Sequence, residues 1–102
     1  MSVINVSYEN FNEIKNSNKT ILLDFYADWC GHCRVIAPTI EQIADENPNY
    51  IIGKINVDNE PELAQSFEVS SIPLLVVIKD GKITNQSVGA KTKQQILDMI
   101  ED

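Results

Sequence analysis

The chain has 102 residues, enough for one core of ordinary size and no second one. Its 43% hydrophobic and 23% charged composition is that of a globular protein and excludes a disordered chain. Eight Lys and Arg stand against fifteen Asp and Glu, a net charge of −7, so nucleic acid and anionic membrane surfaces are excluded as partners.

Val3 to Val6 alternates apolar and polar residues and predicts a short strand. Ser7 can cap a helix through about Lys15, with Tyr8, Phe11 and Ile14 on one face. Asn16 to Lys19 reads as a turn. Ile21 to Tyr26 is near-continuously apolar, the pattern of a parallel strand buried on both faces, and Asp24 interrupts it. A helix is expected from about Cys30 to Asn47. Ile36, Ile40, Ile43 and Asn47 form its stripe, Ala37 and Ala44 lie beside it, and Pro38 should kink it. Tyr50 to Val57 is the next strand, apolar except for Lys54. Asp58 or Asn59 can cap a short helix through Phe67, with Pro61 in its first turn.

Leu74 to Ile78 and Lys82 to Val88 are strands. Asp80-Gly81 between them is a short-hairpin signal, so the pair should be antiparallel. Thr92 to Gln95 has the form of a capping box and opens a last helix, with Ile96, Leu97 and Ile100 inward. The order β-α-β-α-β-α-β-β-α implies parallel crossovers and a terminal hairpin, hence an α/β fold with a mixed sheet in a single domain over residues 1–102. The longest apolar run, Leu74 to Ile78, is far short of the ~20 residues of a membrane-spanning helix. Met1 to Val6 has no charged start and no long apolar stretch, so no secretory signal is visible and the expected location is the cytoplasm.

The two cysteines, Cys30 and Cys33, are spaced C-x-x-C just after a buried strand and at the start of a helix. A helix N-terminus presents unpaired N–H groups and the positive end of the dipole, both of which favour a thiolate. Cys30, the more N-terminal and the more exposed by expectation, is the nucleophile; Cys33, one turn in, can resolve a mixed disulfide. Two Cys and His32 fall short of the four ligands of a structural zinc site, so no metal is expected. Arg34 stands where a c-type haem needs His. A purely structural disulfide is the remaining alternative, but so short a loop gives little chain-entropy stabilisation.

The run Phe25-Tyr26-Ala27-Asp28-Trp29-Cys30-Gly31-His32-Cys33-Arg34-Val35-Ile36-Ala37-Pro38 resembles the active-site segment of the thioredoxin family. Leu23-Asp24-Phe25, Lys54 to Asp58, Ser71-Ile72-Pro73, Asp80-Gly81 and Val88-Gly89-Ala90 follow in that family's order and spacing. The resemblance implies a thioredoxin fold, a mixed five-stranded sheet in the order 1-3-2-4-5 with helices on both faces. It implies reduction of protein disulfides through a reversible Cys30–Cys33 dithiol/disulfide, with electrons from a thioredoxin reductase, no bound cofactor and a monomeric chain. It assigns Cys30 as attacking and Cys33 as resolving thiol. Asp24 matches the carboxylate that manages the resolving proton, Lys54 lies near it, and Pro73 matches a cis-proline opposite the disulfide. Trp29, Gly31, Ile72, Gly89 and Ala90 match the surface that receives the substrate.

His32 departs from the family's usual proline, and Cys-Gly-His-Cys resembles the active site of protein disulfide isomerase domains. Asp24, Asp28 and Ile72 are thioredoxin-like instead. An imidazole beside Cys30 would stabilise its thiolate and make the disulfide a better oxidant. Two rival functions stay open at this level: an oxidase or isomerase of an oxidising compartment, and a non-catalytic interaction module of the same fold. Each residue also has a plainer reading. Asp24 could be a core polar group with one hydrogen bond, Lys54 a solvated charge, Trp29 ordinary core, and Pro73 a plain loop proline.

Overall fold

The computed structural model describes residues 2–102. The elements are β1 (Val3–Asn5), α1 (Tyr8–Lys15), β2 (Thr20–Tyr26), α2 (Gly31–Glu46), β3 (Tyr50–Asn56), α3 (Pro61–Ser66), β4 (Leu74–Lys79), β5 (Lys82–Val88) and α4 (Lys93–Glu101). The sheet order is β1-β3-β2-β4-β5, as the resemblance implies. β1, β3 and β2 are parallel; β4 and β5 run antiparallel to their neighbours.

β2 is the central strand, which explains its unbroken apolar run: every residue from Ile21 to Phe25 is buried. Side chains alternate between the two faces of a strand. Ile21, Leu23 and Phe25 enter one core with Ile14, Leu63 and Val76, against which Phe11 and Phe67 pack. Leu22 enters the other with Ile36, Ile40, Ile43, Ile96 and Ile100, from α2 and α4. By the same alternation Asp24 shares the Leu22 face, the side covered by α2. In β3, Lys54 shares the Ile52 face, and Asp24 and Lys54 are register partners across the parallel ladder.

The turn chemistry follows the sequence closely. Asp80 and Gly81 both have positive φ, 54° and 78°, as a two-residue hairpin of this hand requires. In α4, Thr92 Oγ1 accepts from the Gln95 N–H and Gln95 Oε1 accepts from the Thr92 N–H, closing the expected box. Ser7 occupies the N-cap of α1, and its N–H donates to Asn10 Oδ1 at 2.8 Å.

Three expectations are corrected. The N-cap of α3 is Glu60, not Asp58 or Asn59. Asn56 Oδ1 takes the N–H groups of both Asp58 and Asn59, so these residues form a turn before the helix begins. Tyr8 is 67% exposed and does not join Phe11 and Ile14, because it stands at the first helical position, beyond the reach of the core. Ala37 is exposed, while Ala44 is buried with the stripe. α2 continues through Pro38 as one helix.

Candidate active site

β2 ends at Tyr26, and a short turn carries the chain through Ala27, Asp28 and Trp29 into α2. The turn closes with the Cys30 N–H donating to the Ala27 carbonyl at 3.2 Å. Cys30 is the N-cap of α2, and its Sγ accepts from the Cys33 N–H at 3.2 Å. One of the helix's unpaired donors therefore points at the sulfur, an arrangement that favours negative charge there. Cys30 and Cys33 are joined in a disulfide with their Cα atoms 5.3 Å apart. Both are buried; Cys30 is the more exposed at 7% against 3%. They pack with Ala27, Tyr26, Val57 and Ile72.

The Ile72–Pro73 peptide bond is cis, as expected, and the Ile72 carbonyl lies 3.9 Å from Cys30 Sγ. Gly89 donates its N–H to the Pro73 carbonyl at 2.8 Å. Its φ is 99°, a conformation open to glycine and strained for other residues. Thus a continuous chain of contacts links Cys30, Ile72, Pro73 and Gly89. Ala90 and Gly31, next to Gly89 and Cys30 in sequence, are exposed.

Behind Cys33 lies an open cavity of about 300 Å³ that is also lined by Asp24, Tyr26, Asp28, Arg34 and Lys54. Asp24 is buried and its Oδ1 has no hydrogen-bond partner among the described residues. Burial pushes its carboxyl up to about 7, and the positive charge of Lys54 opposes that rise only in part. A carboxyl in this range can take or give a proton near neutrality. Lys54 is half-buried, with Nζ 5.7 Å from the centre of the Tyr26 ring. Asp24 and Lys54 share the cavity without forming an ion pair.

Trp29 is 68% exposed, which rules out the core reading, and its Nε1 donates to Asp58 Oδ2 at 2.8 Å. His32 is exposed on the first turn of α2, with no partner among the described residues. Two contributors escaped the sequence reading. Asp58 anchors the indole, a role signalled only by the general need of a Trp N–H for an acceptor. Arg34 Nη1 donates to the Asp28 carbonyl at 2.7 Å and ties the turn to the helix. Among the described residues no three His, Cys, Asp or Glu side chains gather as metal ligands, and no helix is long and apolar enough to cross a membrane.

The family model described as Thioredoxin matches residues 2–102. A thioredoxin of Chlamydia pneumoniae is 43% identical over 95 residues, 93% of this chain and 92% of that one. A bifunctional thioredoxin reductase/thioredoxin of Mycobacterium leprae is 41% identical over 93 residues, 90% of this chain and 20% of that protein. Among solved structures, a point-mutant thioredoxin from Halobacterium salinarum superposes with a TM-score of 0.91 at 32% identity, covering 98% of this chain and 88% of that one. The chain belongs to the thioredoxin family and is a thiol–disulfide oxidoreductase, acting on protein disulfides through its Cys30–Cys33 pair.

Proposed function

We propose that residues 1–102 work as one monomeric domain in the cytoplasm, reducing protein disulfides with electrons from a thioredoxin reductase. The observation that carries this reading is the pairing of a helix-capping Cys30 with a buried carboxyl, Asp24, in the cavity behind Cys33. In the reduced form the Cys30 thiolate attacks a substrate disulfide. One substrate sulfur joins Cys30 and the other leaves as a thiolate. Cys33 then gives its proton to Asp24 and attacks Cys30 Sγ. The Cys30–Cys33 disulfide forms, and the substrate departs with both its sulfurs reduced. Two electrons have passed from the protein to the substrate, and a reductase must return them. Fusion of such a domain to a reductase in the Mycobacterium leprae protein supports that source. A cytoplasmic location fits because a dithiol donor needs surroundings that keep its own pair reduced.

Lys54 would bias the Asp24 proton, Pro73 would hold the Ile72 backbone against the disulfide, and Trp29, Gly31, Ile72, Gly89 and Ala90 would receive the substrate. The test is insulin reduction driven by NADPH and a thioredoxin reductase. NADPH should be consumed in step with insulin precipitation, and both should stop in Cys30→Ser. Reduction with dithiothreitol but none with the reductase would remove that partner. A second reading, disulfide formation or isomerisation, is favoured by the exposed His32 between the two cysteines. A reduction potential well above that of reducing thioredoxins would decide for it.

A further inference from the structure

Lys91 has no part in the chemistry above, yet it stands beside it. Its ammonium donates to the Val88 carbonyl at 3.0 Å and lies 3.9 Å from where a Cβ on Gly89 would sit. Gly89 is hydrogen-bonded to Pro73, and the preceding carbonyl, that of Ile72, is 3.9 Å from Cys30 Sγ. The Lys91 ammonium thus puts a positive charge on the Val88–Gly89 backbone that is bonded to the cis-proline segment facing Cys30. An ammonium carries three N–H donors, and one is used on Val88. Lys91 makes no ion pair among the described residues. The carboxylate of Asp58, by contrast, is held by Trp29 in the segment that runs into Cys30.

We propose that Lys91 is a specificity-determining residue that selects protein disulfides whose target cysteine is flanked by an acidic side chain; this rests on the disulfide-reductase reading of the same site. The chain's net charge of −7 acts against acidic substrates at long range. At physiological ionic strength charges more than about 8 Å apart are largely screened, so the local ammonium outweighs the distant carboxylates once the substrate has docked. An exposed pair of this kind is worth a rate difference of roughly two- to five-fold.

The test uses fluorogenic peptide disulfides that differ only in Glu, Gln or Lys at the positions flanking the target cysteine. The wild-type protein reduces the Glu peptides about two- to five-fold faster than the Gln peptides. The ratio falls to about one in Lys91→Gln, persists in Lys91→Arg and inverts in Lys91→Glu. Lys82→Gln removes the same charge at the far end of β5, about 20 Å from Val88, and keeps the wild-type ratio. A wild-type ratio in Lys91→Gln, an equal loss in Lys82→Gln, or a wild-type preference for the Lys peptides overturns the proposal. Brisk reduction without any charge preference overturns it alone. Failure to reduce any of the peptides overturns the reductase reading together with it.

Discussion

Replacing Asp24 by Asn removes a buried ionisable group from the central strand of the sheet. Its carboxyl is raised by burial from 3.8 to about 7, against the weaker opposing pull of Lys54. A rise of about three units corresponds to about 4 kcal/mol of stability, at roughly 1.4 kcal/mol per unit. Below pH 3.8 the folded and unfolded chains both hold the proton, and Asp24 carries no ionisation penalty. Between 3.8 and about 7 the unfolded chain releases the proton while the folded one keeps it, so stability falls as pH rises. Above about 7 the full penalty is present and grows no further. Asn has no such titration. Urea unfolding of the oxidised proteins should therefore give a mutant-minus-wild-type difference that climbs by about 4 kcal/mol between acid and mildly alkaline pH. A constant offset from the amide itself leaves that climb intact. A difference that does not change with pH would refute the burial argument and, with it, the assignment of Asp24 as a proton acceptor near neutrality.

Gly53→Ala should destabilise the fold by roughly 1–3 kcal/mol, because its Cβ would sit 2.6 Å from Val6 Cγ2 and 3.3 Å from Leu23 Cδ2. An unchanged urea midpoint would mean that Val6 and Leu23 yield without cost. Asp58→Ala frees the chain's one tryptophan from its 2.8 Å hydrogen bond, so Trp29 emission should shift while stability changes by roughly 1 kcal/mol or less. Unaltered emission would show that the bond does not hold the indole in solution. His32→Pro removes both the imidazole and a backbone N–H from the first turn of α2, so the potential measured against glutathione should move in the negative direction by roughly tens of millivolts. An unchanged or more positive potential would place the control of redox poise elsewhere in the fold.

Local signals carried most of the architecture. The unbroken run in β2, the Asp80-Gly81 turn and the Thr92/Gln95 box are each written in a few adjacent residues, and each folds as those residues dictate. The cysteine spacing did the same for the redox pair. What escaped is set by contacts distant in sequence. The partner of Trp29 is Asp58, 29 residues away, and the turn that withdraws Asp58 from capping α3 depends on the side chain of Asn56. Asp24 and Lys54 meet only through the parallel register of β2 and β3. Read alone Lys54 is only a charge; the family resemblance set it near Asp24, and the register supplies the physical reason. His32 is the reverse case: prominent in the sequence, solvent-exposed and without a partner among the described residues of the fold.

The central claim is that Cys30 attacks and Cys33 resolves. Trapping tests it most directly: reduced Cys33→Ser and Cys30→Ser are each mixed with a disulfide-bonded substrate protein, and the covalent adducts are counted by non-reducing electrophoresis. Cys33→Ser should accumulate a stable mixed disulfide, because no second sulfur is left to displace the substrate, and Cys30→Ser should trap little. Equal trapping by the two variants, or trapping by Cys30→Ser alone, would contradict the account.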